Sequence, residues 1–246
     1  MTDILPLYHQ APRYDRMFHK ESDLPYWRKQ IQGKALELAC GTGRILLNLA
    51  ANGVEAYGLD NSEAMLAHLR AKAQKARLNI PVKTGDMRAF DYEEHFDHII
   101  LAGNSLGHLY TRADIEAHFA AVREALAKDG HYHLDYFVPK ADFLTLQAQK
   151  RRHLFDFLEP SDGQTTSLYD ESRYNPASQI KEGRWIYMRG DTVLGEEVFR
   201  IRMFYPQELD ALLEYNGFRI RAKYGDYDLR PFDANASQQI IVAERD

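Results

Sequence analysis

The stretch Lys34-Ala35-Leu36-Glu37-Leu38-Ala39-Cys40-Gly41-Thr42-Gly43-Arg44 decides the fold. Its first six residues make a short β-type run. Two glycines follow, and a helix opens at Arg44 and runs to about Ala51. A glycine turn between a first strand and a helix brings backbone N–H groups and a helix N-terminus close to a ligand. Gly41 and Gly43 let the backbone approach without a Cβ in the way. The next run, Val54 to Leu59, ends at Asp60, and a carboxylate at that strand end suits the two hydroxyls of a ribose. The dinucleotide fingerprint G-x-G-x-x-G is not met, because Leu46 stands where its third glycine would fall.

Outward from this stretch, strand and helix patterns alternate. Asn61 or Ser62 caps a helix whose Met65, Leu66, Leu69 and Ala73 share one face. Strands follow at Ile80–Lys83 and Phe96–Ala102, then a helix from about Ala113 to Ala127 and a strand from His131 to Phe137. Strand, helix, strand repeated in this way predicts a doubly wound parallel sheet with helices on both faces. After Pro139 the helical period disappears, and between about 149 and 205 aromatic and β-branched residues alternate with polar ones. Turn signals at Asp162-Gly163, Asn175-Pro176 and Arg189-Gly190-Asp191 divide this region into three to five antiparallel strands. Pro206 opens a helix with Leu209, Leu212 and Leu213 as its buried stripe, and strands Phe218–Tyr224 and Gln239–Glu244 close the chain.

Of the 246 residues, 45% are hydrophobic and 27% charged, the balance of a globular chain with ample apolar surface for a core. The net charge of −5 argues against a surface that binds nucleic acid through its phosphates. The single cysteine, Cys40, forbids an internal disulfide and fits a reduced, cytoplasmic setting. The first residues, Met1 to Pro6, lack a signal-peptide pattern, and no run reaches the ~20 apolar residues of a membrane helix. His131, His133 and Asp135 share a strand face, but His131 falls at the end away from the expected cleft, so no metal site is expected. Cys40 reads as a small loop filler, and Lys150-Arg151-Arg152-His153 as a solvated strand entry.

The 37–44 motif resembles the first motif of class I S-adenosylmethionine-dependent methyltransferases. Gly58-Leu59-Asp60-Asn61-Ser62-Glu63-Ala64-Met65-Leu66 is similar to the motif after it. Gly85-Asp86-Met87-Arg88-Ala89-Phe90 resembles the adenine-contacting motif, and Phe96-Asp97-His98-Ile99-Ile100 the fourth strand. The subgroup it most resembles is that of small-molecule enzymes such as sugar-amine and glycine-type N-methyltransferases. Asn104-Ser105-Leu106-Gly107-His108-Leu109 has counterparts there, and an antiparallel insert follows the fifth strand. Ala39 departs from the family's usual first glycine, and His108 stands where relatives tend to carry an aromatic.

The resemblance implies a Rossmann-like fold, S-adenosylmethionine as cofactor and methyl transfer to N or O of a small molecule. It implies that Ala39, Gly41 and Gly43 lie against the methionine part, with Glu37 orienting the loop or its water. Asp60 would take the ribose hydroxyls with Asn61 and Met65 nearby. Asp86 and Met87 would meet the adenine, and Leu101, Ala102 and Gly103 would end the fourth strand beside the sulfonium. Tyr14 matches a segment that folds over the cofactor, with Arg16 and Trp27 as further lid candidates. His108, Asp135 and Tyr136 are candidates for acceptor positioning or proton removal. Asn104, Arg173, Trp185, Tyr187, Arg200, Arg202 and Tyr205 are candidates for acceptor binding, with an outward salt-bridged face the equal reading for Arg200 and Arg202.

The expected organisation is a helical lid over 1–33, a cofactor-binding α/β domain over 34–138 and 206–246, and a substrate-binding β insert over 139–205. The expected partner is a small-molecule substrate, not nucleic acid or membrane, in a monomer or homodimer. The rival readings are a macromolecule methyltransferase, a non-catalytic cofactor-binding protein and an NAD-type oxidoreductase. Asn104-Ser105-Leu106-Gly107 is not the Asn-Pro-Pro-aromatic type of amino-methylating nucleic-acid enzymes, and Leu46 opposes the oxidoreductase.

Overall fold

The computed structural model describes residues 6–140 and 150–246. The sequence readings on residues 1–5 and on the start of the insert at 141–149 lie outside the described residues. The chain forms two compact units. One comprises the described parts of Met1–His19 and Pro139–Met203, and the other Lys20–Val138 with Phe204–Asp246. The division falls inside the 1–33 segment that the sequence analysis set apart.

The larger unit is an α/β sandwich. Its strands are β1 (Lys34–Leu38), β2 (Glu55–Asp60), β3 (Val82–Thr84), β4 (Phe96–Leu101), β5 (Leu126–Phe137), β10 (Phe218–Tyr224) and β11 (Gln238–Arg245). They lie in the order β10-β11-β5-β4-β1-β2-β3. β1 pairs in parallel with β2 on one side and with β4 on the other, while β11 runs antiparallel to β5. The chain therefore winds outward through β2 and β3, returns, and adds β4 on the far side of β1. A crevice opens beyond the carboxyl ends of the strands at such a reversal.

Both sheet faces are buried, so the strands read as nearly continuous apolar runs. One face receives α5 (Arg112–Ala125) through Ile115, Phe119 and Val122, and α6 (Pro206–Tyr215) through Leu209 and Leu213. The other receives α2 (Leu24–Gln30) through Tyr26 and Trp27, and α3 (Arg44–Ala51) through Ile45 and Leu49. The helix α4 (Glu63–Lys75) buries Leu66, Leu69 and Ala73 against Leu46, and Ser62 caps it by accepting from the Met65 N–H. Helix α5 stops at Ala125, two residues before the expected end, because Leu126 is already buried as the first residue of β5. No described helix is long and apolar enough to cross a membrane.

The smaller unit holds α1 (Ala11–Met17) and an antiparallel sheet in the order β6-β7-β8-β9. These strands are β6 (Arg152–Leu158), β7 (Thr165–Asn175), β8 (Ile180–Arg189) and β9 (Thr192–Arg202), joined at the turns expected from sequence. One face buries Phe157, Leu168 and Tyr187 with Leu7 and Met17, and the other carries paired charges.

The loop after β1 holds three residues in left-handed backbone: Ala39 at φ 52°, Gly41 at 53° and Gly43 at 81°. A Cβ on Gly43 would meet Leu69 Cγ at 2.6 Å, so this position excludes a side chain by space as well as by conformation. Gly43→Ala is expected to lose about 1–3 kcal/mol of stability, and Ala39→Gly to gain about 1 kcal/mol by relieving a left-handed alanine. Urea unfolding of the two variants checks the opposite signs.

Candidate active site

At the carboxyl end of β2, Asp60 is buried and both of its oxygens are engaged. Oδ2 accepts from the Gly41 N–H at 2.7 Å, and Oδ1 from the Ser62 N–H at 2.8 Å. One carboxylate thus ties the glycine loop to the start of α4. Burial raises its pKa, and the N–H groups of Ser62, Gly41 and Asn61 oppose that rise. Asn61 is exposed beside it and Met65 is buried one turn into α4.

Glu37 projects from β1 beneath the same loop and is buried. Its Oε2 has no hydrogen-bond partner among the described residues. Burial pushes its carboxyl up to about 8 against the pull of the nearby Arg44 charge. A buried polar atom left alone costs free energy, which is recovered if a ligand supplies a donor. Gly41, and Gly103 after β4 at φ 69°, each face open space where a Cβ would stand. Open backbone in the loops after β1 and β4, with a buried carboxylate on β1 left unpaired, fits a ligand that brings a cationic or N–H group.

The loop at 85–90 holds Asp86 and Met87. The Asp86 carboxylate is gripped by the Arg88 guanidinium and by the Arg88 N–H at 2.9 Å, which lower its pKa. Arg88 also binds Asp114 on α5 at 2.6 Å. The Met87 carbonyl accepts from His118 Nδ1 at 2.8 Å. His118 was missed in the sequence. Its place in the apolar stripe of Ile115, Phe119 and Val122 was the signal that could have found it.

At the end of β4, Leu101 and Ala102 are buried, and Gly103 and Asn104 turn the chain in left-handed backbone. Asp135, at the end of β5, holds that turn. Its Oδ1 accepts from the Asn104 N–H at 3.0 Å and its Oδ2 from the Tyr227 hydroxyl at 2.7 Å. Burial raises the pKa of Asp135, and burial together with the Asp135 charge raises that of Tyr227, so the hydroxyl keeps its proton and donates. The Asn104 Oδ1 in turn accepts from the Phe137 N–H at 2.8 Å. His108 ends the short 3-10 turn Ser105–His108, and burial lowers its pKa, leaving the imidazole neutral.

Several sequence candidates sit elsewhere than expected. Trp27 is not a lid residue. Its ring is fully buried under the sheet, and its Nε1–H donates to Asp23, which also pairs with Arg44. Asp135 is occupied by the two bonds above, and its reach ends at the turn it holds. Tyr136 points to the opposite face of β5 and is fully buried against Phe204 and Phe137. Arg173 and Arg200 both pair with Glu182 on the charged face of the smaller unit's sheet, 3.2 and 3.1 Å away. Arg200 is exposed on that outward side, whereas Arg202 is half-buried and lies opposite Ile180 at the end of β9.

Tyr14 packs in the smaller unit on Tyr8 and Phe18, where Trp185 stacks on Phe199 and Tyr187 lies under the Arg13 guanidinium. Tyr205 precedes α6 and is half-buried. Among the described residues, no group of His, Cys, Asp and Glu is placed to hold a metal ion.

Residues 35–130 match the family model described as a methyltransferase domain. The chain is 31% identical over 128 residues to the putative methyltransferase YqeM of Bacillus subtilis, covering 49% of this chain and 51% of that protein. It is 31% identical over 134 residues to the dTDP-3-amino-3,6-dideoxy-alpha-D-glucopyranose N,N-dimethyltransferase of Streptomyces fradiae, covering 53% and 50%. The chain spans about half the length of the curated relatives it matches. The CcbJ methyltransferase from Streptomyces caelestis superposes with a TM-score of 0.75 at 26% identity, over 86% of this chain and 83% of that one. The matched segment thus coincides with β1 through β4 and α5, the half of the sheet that holds Glu37, Asp60 and Asp86.

Glu37 supplies a direct test of the ligand-free site. Between its ordinary value of 4.5 and about 8, the folded chain holds a proton that the unfolded chain has released. Stability is therefore lost as pH rises through that window. Glu37→Gln is expected to gain on the wild type by up to roughly 1.4 kcal/mol per pH unit there. Urea unfolding of both proteins at about pH 5.5 and about pH 7.5 reads the difference, and a pH-independent gap removes the assignment.

Proposed function

We propose that this chain is an S-adenosylmethionine-dependent methyltransferase that methylates a nitrogen or oxygen atom of a small molecule, with an amine nitrogen as the favoured acceptor. The observation that carries this reading is the pairing of an unsatisfied buried carboxylate, Glu37, with the Asp60-tethered glycine loop at the reversal point of the sheet. Amine methylation is favoured by likeness to relatives named as dimethyltransferases of amino sugars.

In this reading Glu37 accepts from the ammonium of the methionine part. Asp60 has spare lone pairs on both oxygens and accepts from the ribose hydroxyls while keeping its hold on Gly41 and Ser62. Asp86 accepts from the adenine amino group, and the Met87 peptide lines the same end. The bound cofactor supplies a methyl group already activated on a sulfonium. The protein's share is then to align the acceptor with that methyl and to exclude water.

Leu101 and Ala102 set the end of β4, and Asp135, through Asn104, fixes the turn that follows. His108 is neutral at physiological pH and takes the proton that the acceptor sheds. Arg173 and Arg200 are not part of this proposal, since Glu182 already neutralises them.

Calorimetric titration with S-adenosylmethionine and S-adenosylhomocysteine, with NAD as control, tests the reading. Binding of the adenosyl compounds alone is expected, and preference for NAD overturns it. Asp60→Ala is expected to weaken S-adenosylhomocysteine by about 1.5–3 kcal/mol, the worth of hydrogen bonds to a charged group. An affinity that is unchanged in that variant removes Asp60 from the site.

A further inference from the structure

His118 lies wholly inside the larger unit, yet both ring nitrogens have polar partners: Nδ1 the Met87 carbonyl at 2.8 Å, and Nε2 the Tyr132 hydroxyl at 3.0 Å. A carbonyl oxygen only accepts, so the ring hydrogen sits on Nδ1. Nε2 of the neutral ring then accepts, and the Tyr132 hydroxyl donates to it. The partners alone fix this tautomer.

The chain of bonds continues through the backbone. The Met87 carbonyl shares its peptide unit with the Arg88 N–H, and that N–H donates to Asp86 Oδ1 at 2.9 Å. Tyr132, His118, the 87–88 peptide and Asp86 thus form one unidirectional series: hydroxyl to imidazole, imidazole to carbonyl, N–H to carboxylate. His118 and Tyr132 are fully buried, where each bond polarises the next, and the series ends at the half-exposed Asp86. One turn earlier on α5, Asp114 holds the Arg88 guanidinium, whose other nitrogens clasp the Asp86 carboxylate. Helix α5 therefore grips the 86–88 segment twice, once through its backbone and once through its side chain. A histidine used only to fill space would not need either partner, and a leucine fills such a stripe without the cost of burying a polar ring.

We infer that His118 and Tyr132 are positioning residues for nucleobase recognition: their relay sets the orientation of the Asp86 carboxylate and of the Met87 peptide, and with them the preference for adenine. This inference rests on the adenosyl reading of the site. Neither residue touches the ligand in it. Each acts through the loop.

Nitrogen-15 NMR of histidine-labelled, ligand-free protein tests the relay itself. The His118 signal, identified by its loss in His118→Gln, is expected as the Nδ1–H tautomer, and the Nε2–H tautomer overturns the inference. The second arm measures affinity for S-adenosylhomocysteine and for its inosine analogue. His118→Leu is expected to weaken the adenosyl compound about tenfold and to narrow its advantage over the inosyl one, with kcat at saturating donor unchanged. His118→Gln, which keeps an N–H donor, is expected to recover most of the loss. Equal weakening of both ligands, or a loss that falls on kcat, marks a purely structural role and overturns the inference.

Tyr132→Phe serves where the leucine variant does not fold. It keeps the ring, removes the donor to Nε2, and is expected to move the His118 Nε2 signal while the hydrogen stays on Nδ1, and to weaken adenosyl binding about threefold. No change in either measurement overturns the inference. Failure of the wild type to bind S-adenosylhomocysteine overturns the adenosyl reading and the adenine part of this inference with it, while the tautomer still decides the relay.

Discussion

Two hydrogen bonds to Asp60 organise the site on which the fold converges. A parallel sheet cannot bring its loops together through strand pairing, because the segments beyond the strand ends have left the ladder. At the end of β2 that task falls to a carboxylate. By accepting from Gly41 and Ser62 together, Asp60 sets the distance between the glycine loop and the start of α4. The left-handed turns at Ala39, Gly41 and Gly43 are tolerable because this tether and the packing of Leu69 hold them in place. Without the tether, the backbone that lies open to a ligand would be one loop conformation among several.

The same strand ends concentrate free-energy cost. Glu37, Asp60 and Asp135 are all buried and all have their carboxyl pKa raised by burial. Asp60 and Asp135 are compensated by donors from their own loops, whereas Glu37 keeps an oxygen unpaired. Sites of this kind are commonly built at the expense of stability, and the large cores on both sheet faces provide the margin. Asp60 and Asp135 thus hold their loops through both oxygens, and Glu37 holds nothing through its Oε2.

Much of the fold was legible because its signals are local. The glycine pair after an apolar run, the Ser62 cap, the proline before α6 and the turn dipeptides of the smaller unit each act within a few residues. What stayed hidden depends on partners far along the chain. Trp27 looked like a lid residue, although Asp23 one helical turn earlier was a visible partner for its indole. That Arg44 would join the same Asp23 could not be read. Asp135 looked like a base because its strand-end position was legible while Tyr227, supplied from after β10, was not. Arg173 and Arg200 stood among the acceptor-binding candidates because the register that sets Glu182 between them was unknown.

That register has a consequence of its own. On the outward face of the four-stranded sheet, Arg151, just before β6, forms with Glu171, Arg184 and Glu196 a continuous row of alternating charge that ends on β9, with Arg173, Glu182 and Arg200 as a second row beside it. In water such pairs add little to stability. Their effect is on the alternatives. A hairpin slipped by one residue would turn a strand over, sending its row of charges in among Phe157, Leu168 and Tyr187 and leaving its apolar residues in water. The rows therefore act as a proofreading device for assembly: they contribute little in the native pairing and make each mispaired sheet expensive.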